Sequence, residues 1–180
     1  GTRGDTADKT LYKKMQKAGV RFISFGIESG NQDILDFYNK KITVNQIIKA
    51  VNLAAKMNFI TVGNFILGAP IETKDKIEQT IKFACSLPLD IAVFNPLYYT
   101  YGSDLWKEAV KNGKITEADG YSVTVDSNRK LGNFTSEEMM KFCKQAFKKF
   151  YFRPQYIGRQ IIKGIMNRNF SFLRVGLNYI

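Results

Sequence analysis

Gly26-Ile-Glu-Ser-Gly30 sets a carboxylate and a hydroxyl between two glycines, directly after the apolar run Arg21-Phe-Ile-Ser-Phe25. Glycine lets a backbone approach a ligand closely and take up positive φ. A carboxylate in that setting accepts hydrogen bonds from ribose hydroxyls or pairs with an ammonium group. The same five residues also suit a plain strand-to-helix turn carrying an exposed acid, and spacing alone does not separate the two. A second stretch, Gly63-Asn-Phe-Ile-Leu-Gly-Ala-Pro-Ile-Glu-Thr73, ends an apolar run at Gly68 and Pro70. Small residues there leave room for a flat ring against the strand end. Glu72 has a simpler use as an acid favoured at the start of a helix.

Other chemistry is limited by what the chain contains. There is no histidine, so Ser-His and Cys-His nucleophile pairs and histidine-based zinc sites are excluded. Cys85 and Cys143 stand 58 positions apart, each on an apolar helical face, and read as packing thiols with no metal site. Tyr98, Tyr99, Tyr101 and Trp106 follow the third apolar run. They suit the wall of a substrate pocket and equally a seal on the rim of a sheet.

These residues need a frame to hold them. Arg21–Gly26, Ile60–Leu67 and Ile91–Phe94 are short β-rich runs bounded by Gly, Pro or Asn. They start 39 and 31 residues apart, enough for a crossover helix each time. Thr43 caps a helix with Ile47, Ile48, Val51, Ala54 and Ala55 on one face. Thr73 caps the next, carrying Ile77, Ile81, Ala84 and Cys85. An earlier helix is expected from Thr6 to Lys17, stopped by Gly19. Strand alternating with helix predicts a parallel sheet with right-handed crossovers and ligands at the carboxyl ends of the strands.

After Ser103 a helix with Leu105, Trp106, Ala109 and Val110 runs to Gly113. Residues 114–133 are polar and weakly periodic, a loop or short hairpin. Thr135-Ser-Glu-Glu138 is a capping box opening a helix with Met139, Phe142, Cys143, Ala146, Phe147 and Phe150 on one face. Arg153-Pro154 breaks it. A last helix sets Ile157, Ile161, Ile162 and Ile165 opposite Arg159, Lys163 and Arg168.

The 180 residues are 44% hydrophobic and 24% charged, as in an ordinary globular domain, and no stretch is long and apolar enough for a membrane span. The net charge is +11, and +7 of it falls between Thr135 and Ile180. A basic tail of this kind suits nucleic acid, acidic lipid, an acidic partner or simply a solvated helix face. The chain opens on Gly1 and reads at once as the inside of a fold, which predicts a piece of a longer protein without a signal peptide.

Taken together, these segments resemble the radical S-adenosylmethionine enzymes. RFISFGIESG followed by NQDILDFYNKKIT resembles their fourth-strand segment, and GNFILGAPIET their fifth-strand motif. IAVFNPLYYTYGSDLWKEAVKNGKI resembles the sixth strand and its helix, and TRGDTADKTLYKKMQKAG the end of the third strand and the helix after it. From TSEEMMKFCKQAFKKFYFRP onward the tail resembles the C-terminal extension of the subgroup with a preceding cobalamin-binding domain. Ile71 stands where the family usually has glycine, and Tyr101-Gly-Ser103 where it usually reads Pro-Gly-Thr. The family's CxxxCxxC is missing; it follows the first strand, upstream of Gly1.

The resemblance implies an α/β fold: a parallel-sheet partial (β/α) barrel fragment, residues 1–114, with a loop and basic helical C-terminal extension, residues 115–180. It implies a parent enzyme that reductively cleaves S-adenosylmethionine to a 5′-deoxyadenosyl radical at a four-iron, four-sulfur cluster held outside this chain. Glu28 and Ser29 would hold the ribose or the methionine end; Gly68, Ala69 and the backbone at Asn95 would lie against adenine; Arg3 would contact a carboxylate. The expected partners are the rest of the parent chain, with an upstream cobalamin-binding domain, and a second copy of the fragment through open sheet surface. The isolated fragment is expected to be inactive, and the protein cytoplasmic. A basic RNA-binding or RNA-modifying module ranks second, and a non-catalytic α/β docking domain is the third reading.

Overall fold

In a computed structural model that describes residues 7–167, the chain alternates helix and strand as far as Pro96. Helix α1 spans Lys9–Lys17 and is capped by Asp8, whose carboxylate accepts from the Leu11 amide at 2.9 Å. It opens later than expected because Asp8 supplies the cap; Thr6 lies outside the described residues. Gly19 ends it at φ +87°, with its own N–H on the Gln16 carbonyl and that of Val20 on Met15, the left-handed stop that glycine favours.

Strands β1 (Phe22–Glu28), β2 (Ile60–Leu67) and β3 (Ile91–Pro96) form one parallel sheet in that order. Thr43 and Gln46 close a capping box on α3 (Val44–Lys56), and Thr73 caps α4 (Lys74–Ser86), the two crossovers the sequence predicts. Between β1 and α3 lies a six-residue helix, α2 (Gln32–Phe37), too short to leave a periodic signature. Side chains alternate across the sheet. Ile23, Phe25, Ile27, Phe65, Leu67, Ala92 and Phe94 are buried in the core, while Ser24, Gly26, Asn64, Ile66 and Val93 are only half-buried and Asn95 is exposed. This is the fold of part of a (β/α) barrel: one face of the sheet is covered, and the other opens.

Beyond β3 the chain turns through β4 (Tyr98–Thr100), α5 (Asp104–Lys111) and β5 (Ser122–Thr124), with β4 and β5 paired antiparallel. The stretch 114–133 is therefore not a hairpin of its own: it holds one strand, whose partner β4 lies before α5, and two short 3-10 turns, Glu117–Asp119 and Ser127–Arg129. Ser103, in the place of the family's threonine, caps α5 by accepting from the Trp106 amide.

Helices α6 (Ser136–Tyr151) and α7 (Pro154–Asn167) depart from expectation. An open sheet surface is expected; among the described residues the outer edge of β1 has no strand partner, whereas α6 packs along β3 as well as on α4. Phe94 meets Phe147 edge-on at 5.5 Å, and the Tyr151 hydroxyl accepts from the Ala92 N–H and donates to the Ala92 carbonyl. That hydroxyl takes the place of a neighbouring strand at this edge.

The orientation of α7 is also inverted. The four isoleucines of its apolar face, Ile157, Ile161, Ile162 and Ile165, are exposed. Its polar face turns inward. Asp90, buried at the start of β3, accepts from Lys163 Nζ at 2.6 Å, from Gln160, and from the Thr61 amide and hydroxyl. Tyr156 donates to the Asp90 carbonyl and Arg159 to that of Leu89. A buried carboxylate must be paired, and α7 carries the pairing groups. Arg168, assigned to that polar face, lies outside the described residues.

Candidate cofactor-binding site

The carboxyl ends of β1, β2 and β3 share one rim, because the strands are parallel. Glu28, Gly68 and Asn95 stand on it: Glu28 is in register with Phe65, Gly68 follows Leu67, and Asn95 is in register with Ile66.

Glu28 is the best-positioned of them. The β1–β2 register slips between Gly26 and Glu28, and Glu28 takes φ +63°. That turns its side chain back over the strand. A Cβ on Gly26 would lie 2.8 Å from Glu28 Oε1 and 3.1 Å from Lys40 Nζ, so a side chain there would push the ends of both groups off their present place over the strand. Lys40 Nζ pairs with Glu28 Oε1 at 2.6 Å. Asn39 and Lys41, on either side of the lysine, also have positive φ, of 50° and 49°. Of the five positive-φ non-glycine residues described, three therefore surround one ion pair. Strained backbone of this kind persists where the surroundings over-determine it, and it clusters at ligand sites.

Ser29 does not join this site. Its side chain is fully buried on the far side of the turn, with Oγ 2.9 Å from Thr80 Oγ1 and accepting from the Asn31 amide. Asn31 Nδ2 donates to the Lys76 carbonyl. These bonds weld the β1–α2 turn to α4, and Ser29 has a structural task there in place of a ligand contact. Gly30 is needed for the same packing, since a Cβ would meet the Phe83 side chain at 2.6 Å.

Gly68 and Ala69 are on the rim but are covered. Gly68 has φ +98°, and the place of its missing Cβ is taken by Val125 at 2.9 Å and Met139 at 3.0 Å. Ala69 is buried as well. The flat-ring platform expected there is thus filled by the chain's own extension.

The covering encloses Glu72. Its role is not that of a helix-dipole acid, because α4 starts only at Lys74. Its side chain is wholly buried, and Oε2 accepts from the amides of Gly68 at 2.6 Å and Ala69 at 3.2 Å. Burial raises its pKa to about 7 against the pull of those two amides. Oε1 has no hydrogen-bond partner, and neither has the buried Tyr38 hydroxyl. Burial pushes the Tyr38 phenol up, and the carboxyl groups of Glu72 and Glu28 push it further.

Asn95 is exposed on the open face. Two more polar residues share that face, Ser24 and Asn64, with Asn64 Nδ2 donating to Ser24 Oγ at 2.8 Å and to the Phe25 carbonyl. The sequence held a signal for both: a polar residue inside an apolar parallel strand marks a face that is not packed. Tyr38 and Lys40 had none, since a turn after a short helix aims them. Among the aromatics, Tyr99 is buried with its hydroxyl on the Leu131 carbonyl, and Tyr101 lies tilted against Trp106 with centroids 4.5 Å apart and meets Tyr121 edge-on. They pack around the β4–β5 pair.

Cys85 is half-buried and Cys143 buried, the latter thiol pushed up to about 12 by desolvation. Among the described residues no group of three or more His, Cys, Asp or Glu is placed to hold a metal ion. The described residues therefore offer no cage for an iron–sulfur cluster. Glu28 on its bare glycine, with polar Ser24, Asn64 and Asn95 on the open face, suits a ligand bearing hydroxyl or ammonium groups. Arg3 lies outside the described residues.

Comparison with known proteins gives this geometry its family. Residues 1–84 match the model of the Radical SAM superfamily. The chain is similar to an uncharacterized methyltransferase of Pyrococcus horikoshii, 36% identical over 163 residues, covering 90% of this chain and 36% of that protein. It is also similar to the anaerobic magnesium-protoporphyrin IX monomethyl ester cyclase of Cereibacter sphaeroides, 29% identical over 149 residues, covering 81% of this chain and 24% of the cyclase. The chain thus spans between a quarter and about a third of these relatives. Among solved structures, the archaeal Elp3 of Methanocaldococcus infernus shares the fold, with a TM-score of 0.62 at 18% identity over 86% of this chain and 32% of that one. Residues 1–84 thus carry a domain of the Radical SAM superfamily.

Proposed function

We propose that this chain is the C-terminal half of a radical S-adenosylmethionine barrel, residues 1–114, with a basic helical extension, residues 115–180. In that enzyme the bound cofactor and a four-iron cluster would supply radical chemistry, one electron from the cluster breaking the sulfur–C5′ bond of S-adenosylmethionine to leave methionine and a 5′-deoxyadenosyl radical. The cluster's cysteines lie outside this chain, and Glu28 holds the cofactor inside it. One observation carries the reading: Glu28 is held at φ +63° on the carboxyl rim, folded over bare Gly26. Its carboxylate accepts from the ribose hydroxyls or pairs with the methionine ammonium, while Lys40 fixes its orientation. The Asn95 backbone borders the adenine; Gly68 and Ala69 support that rim through their backbone alone. Arg3 serves a carboxylate contact.

The chain's work is to orient and to exclude water; it performs no acid–base step. The names of the relatives point to a methyltransferase or cyclase reaction, and an upstream cobalamin-binding domain goes with the methyltransferase form. The remainder of the parent chain is the main partner. Both described cysteines are free thiols, in keeping with a reducing compartment, and we assign the protein to the cytoplasm. No helix among the described residues is long and apolar enough to cross a membrane.

Anaerobic turnover tests this. The intact protein, reconstituted with iron and sulfide and given S-adenosylmethionine and a reductant, should form 5′-deoxyadenosine, and the 180-residue chain alone should form none. Absence of 5′-deoxyadenosine from the intact protein, or its formation by the chain alone, would overturn the reading.

A further inference from the structure

A cleft opens at the other end of the sheet, between α3, the end of α4, the Leu87–Pro88 loop and the start of α7. It has a volume of about 280 Å³. Arg153, Arg159, Asn52, Ser86 and Gln155 supply its hydrogen-bonding groups.

The two arginines are held close together by one ring. The Arg153 guanidinium lies 4.0 Å over Phe150 and 5.5 Å from the Tyr156 ring; that of Arg159 lies 5.9 Å from the same Tyr156 ring. Burial disfavours the charge on Arg159, the Asp90 carboxylate favours it, and Arg153 opposes it by a smaller amount. Neither makes an ion pair among the described residues. The carboxylate nearest in charge, Asp90, has its Oδ1 taken by Lys163 and Gln160. Arg159 spends one donor on the Leu89 carbonyl, but its Nε–H has no partner, and neither has Nη1 of Arg153. No acid stands in the first turn of α7 to balance them.

One carboxylate, Asp90, already shared with Lys163, faces three cations here, so the two guanidiniums with their unmet donors are balanced only in part. A single carboxylate would balance one of them. A phosphoryl group carries close to two charges at neutral pH and presents several acceptor oxygens, which matches two guanidinium forks. From this we infer that the Arg153–Arg159 cleft is a binding site for a phosphoryl dianion, separate from the Glu28 rim. It is a small-molecule site, because the two guanidiniums converge in one cleft and do not form a stripe. Asn52, Ser86 and Gln155 add neutral hydrogen bonds.

The test uses the intact protein. Inorganic phosphate, pyrophosphate and ribose 5-phosphate are titrated by calorimetry at constant ionic strength, with chloride as the balancing ion. Saturable binding of one ligand per chain is expected. Gln155→Glu, on an exposed position, puts a carboxylate into the cleft and should weaken binding at least tenfold. Arg159→Gln should do the same. Ribose 5-phosphate tighter than phosphate identifies an ester-borne group; equal affinities identify the free anion. No saturable binding, or binding unchanged in Gln155→Glu, overturns the site.

Discussion

Glu28 occupies a backbone conformation that glycine adopts freely and other residues adopt at a cost of roughly 1–2 kcal/mol. Its ion pair with Lys40 is partly solvated and offsets part of that cost. Glu28→Gly should therefore keep global stability within about 1 kcal/mol of the wild type in urea unfolding. A loss several times larger would show that the carboxylate serves the fold instead. Glu72 is the opposite case. Its pKa is raised from the ordinary 4.5 to about 7, so the folded state holds a proton that the unfolded state releases. Stability should then fall as pH rises from about 4.5 to about 7 and level off above, by up to about 3 kcal/mol. Glu72→Gln should remove that slope; parallel pH curves for the two proteins would contradict it. At this scale the sequence was half legible. The glycines around Glu28 showed where a carboxylate meets backbone. Nothing in the spacing showed that Ser29 turns toward Thr80, or that Glu72 reaches back to the Gly68 and Ala69 amides.

The elements were more legible, because periodicity and caps are local. Thr43, Thr73 and Thr135 cap the helices they precede as expected, and Ser103 caps α5, whereas the cap of α1 falls on Asp8 and not at the expected start, Thr6. What periodicity cannot give is which face of a helix turns inward when a buried charge competes with apolar area. On α7 the charge at Asp90 decided it. Asp90→Ala leaves Lys163 and Gln160 facing a buried void and strips the Thr61 amide of its acceptor. We expect a loss of about 3 kcal/mol, with amide exchange in α7 accelerated more than in α3. Uniform acceleration across both helices would mean that Asp90 serves the whole sheet and not the α7 contact.

For the molecule as a whole, strand order and strand direction followed from the strand–helix alternation, while the closure of β3 by Tyr151 did not, since it joins residues 59 positions apart. The half-buried face of the sheet and the α7 isoleucines remain open, with Ile162 at 59% and Ile165 at 64% exposure. Patches of this kind drive association. The isolated chain should run as a twofold dimer in light scattering at micromolar concentration, and Ile161→Lys with Ile165→Lys should disperse it if α7 is the contact. A monomeric wild-type chain would contradict that expectation. The central claim, that the carboxyl rim with Glu28 holds S-adenosylmethionine, is tested most directly by its dissociation constant for the intact, anaerobic protein and the Glu28→Gly variant. The account predicts at least tenfold weaker binding in the variant at unchanged stability. Equal affinity in two equally folded proteins would contradict it.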